Sequence, residues 1–195
     1  MQMTFIRKNV LPVPDQSSGF SLIEVLVTIV ILLIGLLGLA GLQGRALTSQ
    51  MESYQRSQAL ILLKDMADRI NANRANAAAY VTTALAPYPY QGTDNAICTI
   101  TTADSAGDLC KWNNALLGAA ETLAGNKVGA MIGARGCITQ ITPPSSGAPA
   151  EYLIAVAWQG LNSTAIPVIP CGANLYSSES LRRVVSLPIS IADLN

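Results

Sequence analysis

The chain has 195 residues, enough for one ordinary domain and an appendage. Lys+Arg and Asp+Glu balance at 12 each, so there is no basic field for nucleic acid and no acidic tail, and the lack of histidine removes the commonest general base and metal ligand. Half the residues are apolar but only 5% are aromatic, and the apolar excess sits in one segment, which predicts a membrane piece joined to a soluble piece.

Residues 1–19 read as a leader. They hold Arg7, Lys8, Pro12, Pro14 and the small polar tail "DQSSG". The two basic residues argue for a cytoplasmic N-terminus. From Phe20 to Leu42 the only polar residues are Ser21, Glu24 and Thr28. A bilayer core needs about 20 apolar residues in helix, and this run is too long for an ordinary secretory signal and has no A-x-A site after it. An uncleaved signal anchor would explain its length. It would not explain Glu24, since a carboxylate in a span is costly and marks a functional site by default.

The helix should continue past the membrane surface, because no proline occurs between Pro14 and Pro87. Ala59, Leu62, Leu63, Met66 and Ile70 fall on one helical face. Glu52/Arg56, Lys64/Asp68 and Asp65/Arg69 are i,i+4 pairs of opposite charge on the wet faces. The expectation is one helix from Phe20 to Ala78, roughly 90 Å long at the standard rise. It divides into a membrane or filament-core half (20–43) and an amphipathic outer half (44–80). Gly35, Gly38, Gly41 and Gly44 interrupt it, each costing about 1 kcal/mol against alanine. They fit either close packing of helices or a deliberately soft section.

Residues 82–195 read as an α+β head, with a small antiparallel sheet packed on the outer half of the helix. "ALAPYPYQGTDN" (84–95) is a turn-rich exit. "NALLGAAETLAGN" (114–126) predicts a short helix with Asn113 or Asn114 as cap. "RGCITQI" (135–141), "EYLIAVAWQ" (151–159) and "LRRVVSLPIS" (181–190) predict antiparallel strands, and Pro188 puts the last at an edge. Arg182 and Arg183 read as a solvated strand end rather than a ligand site. "NST" (162–164) is a chance-level match to a glycosylation signal.

The cysteines are Cys98, Cys110, Cys137 and Cys171. Their number is even and none has C-x-x-C spacing, so two disulfides in an oxidising compartment are the first reading and a four-cysteine zinc site the second. Three connectivities exist for four cysteines. Nearest-neighbour pairing gives Cys98–Cys110 and Cys137–Cys171.

"GFSLIE" (19–24), followed by the apolar run, resembles the processing site of type IV prepilins and related pseudopilins. The resemblance implies that a membrane aspartyl peptidase cuts between Gly19 and Phe20 and N-methylates the new terminus. It also implies the type IV pilin fold and a role for Glu24 in assembly. A Phe20 ammonium buried in a filament core would cost several kcal/mol unpaired, and a carboxylate within a few Å neutralises it. The longer string "GFSLIEVLVTIVILLIGLLGLAGLQ", with "ADRINANRANAAAYV" after it, resembles the pilus modification family, the minor pilin V branch. The likeness covers residues 17–81 well and continues weakly through "CKWNNAL" and "LRRVVSL". The leader is long for the family, which makes Met3 an alternative start. The apolar run also lacks the proline common in major pilins, a role the glycines could take over.

The implied function is a minor pilin that helps prime or modify filament assembly. Its partners would be the prepilin peptidase/methyltransferase, other minor pilins, the major pilin and the inner-membrane assembly platform. It would sit in the inner membrane as a single span, leader in the cytoplasm and head in the periplasm, and then enter the pilus. A minor pseudopilin of a type II secretion system shares the same N-terminus and is the alternative. A membrane-anchored periplasmic enzyme or binding protein is the reading from another class. Serine or cysteine nucleophiles would lack a histidine base, so neither enzymatic activity nor a cofactor is expected.

Overall fold

The structure is a computed structural model, and it describes residues 19–82, 98–118, 122–123, 126–127, 131–143 and 149–192. The chain divides into two compact units, Met1–Arg45 and Ala46–Asn195. Helix α1 runs from Leu22 to Ala72, 51 residues. In the first unit every described residue is exposed. In the second unit α1 buries Gln55, Ala59, Leu63, Met66, Ala67 and Ile70. That is the face the apolar spacing predicts, with Gln55 and Ala67 added and Leu62 left half-buried at its margin.

The α-helix ends six residues earlier than expected. Asn73 leaves helical geometry (φ −117°, ψ 44°) and a 3-10 segment, Arg74–Tyr80, follows. The cause is the asparagine run "NANRAN". Short polar side chains offer the backbone local alternatives to the helix. Here Asn76 Nδ2 donates to Asn73 Oδ1 (2.9 Å), and Asn73 Nδ2 donates to the Tyr80 hydroxyl (3.2 Å).

Helix α2 spans Ser105–Leu116, and this corrects the helix expected at 114–126. Its N-cap is Asp104, whose side chain accepts from the Gly107 N–H at 2.9 Å, and Asn113 and Asn114 lie inside the helix rather than at its start. It stops where Gly118 takes a left-handed φ of 64°. The alanine-rich tail that suggested helix instead carries a minimal antiparallel pairing of β1 (Thr122–Leu123) with β2 (Asn126–Lys127). Trp112 on α2 is fully buried and donates its indole N–H to the Leu62 carbonyl of α1 at 3.0 Å. Gly136 makes room for it: a Cβ there would lie 2.3 Å from the indole ring.

Strands β3 (Ile132–Thr142), β4 (Ala150–Gln159) and β5 (Arg182–Ile191) form an antiparallel sheet in the order β3-β4-β5. Order and direction agree with the sequence expectation. The central strand β4 is buried at five successive positions, from Ile154 through Trp158. Pro188 lies opposite Leu153 on β5, which pairs with β4 alone among the described residues, so its missing N–H is tolerated. On the other side, Thr82 satisfies part of the β3 edge. Its N–H donates to the Ile138 carbonyl (3.1 Å), and its hydroxyl accepts from the Ile138 N–H (3.0 Å). The core of α1, α2 and sheet centres on Ala59, Met66, Ile70, Trp112, Ile138, Ile154 and Val156. The turn-rich exit expected at 84–95 lies outside the described residues, apart from its flank at Thr82.

Candidate functional site: the start of helix α1

Gly19, Phe20 and Ser21 precede α1 in non-helical backbone. The Ser21 carbonyl accepts from the N–H groups of Glu24 (3.0 Å) and Val25 (3.3 Å), so Ser21 occupies the cap position and Glu24 sits in the first turn. A carboxylate there faces the partial positive charge of the helix N-terminus. Among the described residues the Glu24 carboxylate has no hydrogen-bond or ion-pair partner, and Phe20 is 85% exposed.

Among the described residues the glycine at 19 meets no steric or conformational need. It does not take a left-handed φ, and a Cβ built on it meets nothing within 4 Å. The same holds for Gly35, Gly38, Gly41 and Gly44: nothing approaches their Cβ positions. Packing among the described residues therefore does not account for the four glycines in the apolar run. Among the described residues α1 alone is long and apolar enough to cross a membrane, with a window of mean hydropathy 2.9.

Two family models match this chain. The prokaryotic N-terminal methylation motif matches residues 15–40, and the type IV pilin Tt1218 model matches residues 41–115. The matches abut, the first covering Gly19, Phe20 and Glu24 and the second running through the outer half of α1 to helix α2. Together the two matches support a member of the type IV pilin family. No curated protein and no solved structure matches it. The long apolar helix and the three-stranded antiparallel head of this pilin are the type IV pilin α+β fold. The methylation motif implies processing by a prepilin peptidase and assembly with other pilins, and with the apolar helix it makes the chain a membrane-anchored pilin. Membership points to a structural protein rather than an enzyme.

In the head, the structure brings the four cysteines together in two pairs, Cys98 with Cys110 (Cα–Cα 5.4 Å) and Cys137 with Cys171 (5.9 Å). The first ties the segment before α2 to α2 itself. The second ties β3 to the connection between β4 and β5.

Arg182 and Arg183 correct the expectation of a solvated strand end. Arg182 is buried, its side chain 3% exposed. Its Nε donates to Glu179 Oε2 (2.7 Å), Nη1 to the carbonyls of Ile169 (2.6 Å) and Cys171 (3.1 Å), and Nη2 to that of Pro167 (3.1 Å). Glu179 Oε1 accepts from the Asn174 N–H (2.6 Å). Burial works against the Glu179 charge, but that N–H and the guanidinium hold its carboxyl below the usual range. Arg183 reaches the opposite way, to Glu52 on α1 (3.2 Å), so Glu52 is not paired with Arg56 as the i,i+4 spacing suggested. The pairs Lys64–Asp68 and Asp65–Arg69 do form, and Arg69 also reaches Asp108 on α2 (2.9 Å). The signal for Arg182 was available in sequence. Successive strand residues face opposite sides, so two adjacent arginines opening a strand cannot both face solvent on one side.

Proposed function

We propose that this pilin is a minor pilin that helps prime or modify type IV pilus assembly once its leader is removed. The observation that carries the reading is Glu24, a carboxylate at the head of an apolar helix whose described side chains nothing in the chain covers. A helix of this kind needs lipid or other helices around it. In a helix bundle without water, an ionised Glu24 needs a cation. Cleavage between Gly19 and Phe20 creates one four residues away.

The minor role is supported by the resemblance of residues 17–81 to the pilus modification family. In this reading residues 1–19 are the leader, 20–43 the membrane or filament-core half of α1, 44–80 its outer half and 82–195 the head. The precursor spans the inner membrane with leader inside and head in the periplasm. It meets the peptidase, the assembly platform, other minor pilins and the major pilin. The pilin acts through contacts, without catalysis.

The test is a strain carrying the chain as sole copy or deleted for it. Loss of surface pili on deletion, with retraction-deficient mutants regaining some, is the result expected of a primer. Unchanged pilus number with a defect in protein secretion would instead assign the chain to a type II secretion system.

A further inference from the structure

The spacing of Glu52 and Arg56 predicts an ion pair on α1, and the fold instead gives Glu52 to Arg183. Arg56 is left exposed, with no hydrogen-bond or ion-pair partner among the described residues. Ser49, Glu52, Ser53 and Arg56 recur at i, i+3, i+4 and i+7, so they share one face of the helix. That face is one wall of a cleft of about 220 Å³. The other wall is Trp158 on β4 with Arg183, Val184 and Val185 on β5. Both walls belong to the second compact unit.

Arg183 has little left to offer a ligand. Its Nη1 donates to Thr164 Oγ1 (2.8 Å) and the Ser180 carbonyl (3.1 Å), and its Nη2 to Glu52 Oε1 (3.2 Å) and the Asn162 carbonyl. It lies close over Gly160, where a Cβ would stand 2.8 Å from its Cζ. Arg183 and Glu52 are thus a fixed pair whose charges cancel. Arg56 leaves the cleft with one net positive charge and a guanidinium whose donors are uncommitted.

A second donor is uncommitted as well. Trp158 is 3% exposed, yet its indole N–H has no acceptor among the described residues, unlike that of Trp112, and is not sealed from solvent. Buried tryptophan N–H groups ordinarily find a partner. The cleft that Trp158 lines is where this one can meet an acceptor.

The chemistry of the walls selects the ligand. One net positive charge and two free donors call for a monoanion with acceptor oxygens, and a carboxylate matches a guanidinium fork. A cation would meet Arg56, and a phosphate dianion would overshoot the charge and face Glu52. Val184 and Val185 give the cleft an apolar side, as small-molecule sites require. Its volume exceeds the roughly 150 Å³ that accepts a benzene, and falls short of the roughly 300 Å³ at which drug-sized sites begin.

We propose that this cleft binds a small monocarboxylate with an apolar body, its oxygens accepting from Arg56 and the Trp158 indole and its body lying against Val184 and Val185. The same chemistry has two sources, a free carboxylic acid and the C-terminal residue of a peptide. The proposal holds whether the chain is a minor pilin or a pseudopilin, since it uses only residues after Arg45.

The test uses the full chain in detergent micelles with ¹⁵N-labelled tryptophan. The sequence holds two tryptophans, so two indole signals are expected, and Trp158→Phe assigns them. Benzoate should move the Trp158 signal saturably and leave that of Trp112, held by the Leu62 carbonyl, in place. Benzamide, with the same body and no charge, should bind about tenfold more weakly or worse, the scale of a hydrogen bond to a charged group. Arg56→Gln should weaken benzoate by a similar factor, and an unmoved Trp112 signal shows that the variant is folded. Acetyl-Ala-Leu with a free carboxyl distinguishes the sources: tighter binding than benzoate assigns a peptide C-terminus, and weaker binding a free acid. No saturable movement of the Trp158 signal with either acid, equal binding of benzoate and benzamide, or unchanged benzoate binding in Arg56→Gln overturns the proposal. Each of these results leaves the minor-pilin reading standing, since pilus number decides that reading.

Discussion

Arg183 on β5 and Glu52 on α1 are 131 residues apart in sequence and form an ion pair at 3.2 Å between Nη2 and Oε1. The same oxygen accepts from the Leu161 and Asn162 N–H groups, so one carboxylate joins helix, strand and connection. Arg183 is further held by the Thr164 hydroxyl (2.8 Å) and the Asn162 carbonyl. Burial opposes the charge on Glu52, but the Asn162 N–H, the Arg183 charge and the Leu161 N–H outweigh it and hold the carboxyl below its ordinary value. A depressed folded pKa gives stability that is present above the ordinary glutamate range and lost as pH falls through the folded value. Glu52→Gln should therefore lower the melting temperature at pH 7 and show a smaller further loss on acidification than the parent. The cost at pH 7 should be about 1.5–3 kcal/mol, the range for hydrogen bonds to a charged group. Equal acid sensitivity of variant and parent, followed by thermal unfolding from pH 7 to 3, would remove Glu52 from this account.

Gly19 offers a clean test of processing. Because no atom lies within 4 Å of a Cβ at this position, Gly19→Val has no steric reason to disturb the fold. Any effect on cleavage then belongs to recognition by the peptidase. The expected mass of the membrane-extracted variant is that of the uncut precursor, whereas the parent loses residues 1–19 and gains a methyl group. A processed Gly19→Val chain would contradict the assignment of the scissile bond.

Glu24 separates processing from assembly. Glu24→Ala removes a carboxylate with no partner among the described residues and leaves the apolar helix more compatible with lipid. The variant should accumulate in the membrane and be cut normally, yet fail to enter or prime filaments. Shear-fraction immunoblots and pilus counts on cells with the variant as sole copy decide this. Normal pilus number would rule out charge pairing with the Phe20 terminus as the reason for Glu24.

The parts legible in sequence are those governed by a period. Ala59, Leu63, Met66 and Ile70 recur at helical spacing and are buried, and the three β-branched runs become β3, β4 and β5 in antiparallel order. Boundaries set by single side chains were harder to see. Asn73 ends α1 through local hydrogen bonds, and Asp104 starts α2 through one. Composition outweighed both, since alanine-rich segments beside them look more helical than they are. For Arg182 strand alternation signalled burial, but its partners were illegible for another reason. Its partners are the carbonyls of Pro167, Ile169 and Cys171 and the Glu179 carboxylate, and carbonyls leave no trace in a residue pattern. Glu24 stood out by the cost of a carboxylate in an apolar span, whereas Gly19 and Phe20 were read through resemblance, and a Cβ at Gly19 meets nothing within 4 Å while Phe20 is exposed.

The two disulfides should differ in what they stabilise. In the chain-entropy picture, whose mechanism is disputed, the gain grows with the loop that the bond closes. Cys98–Cys110 spans 12 residues and Cys137–Cys171 spans 34, which gives about 3 and 4 kcal/mol respectively. The shorter bond also positions Asn114, whose side chain accepts from the Cys98 N–H and donates to the Cys98 carbonyl, both at 2.8 Å. Those two bonds give the segment a second hold on α2, so Cys98→Ser with Cys110→Ser should cost less than the loop estimate. The longer bond shares its task with Arg182, which holds the Cys171 carbonyl from the other side. Removing the bond and the arginine together should therefore be worse than the sum of the separate losses, because each alone keeps the connection in place. Thermal unfolding of Cys137→Ser/Cys171→Ser, Arg182→Met and the combined variant measures this coupling. Strict additivity would show that the two holds act independently. Non-reducing peptide mapping of the exported pilin should recover Cys98 linked to Cys110 and Cys137 linked to Cys171. A peptide joining Cys98 to Cys137 or Cys171, or four free thiols, would overturn the pairing.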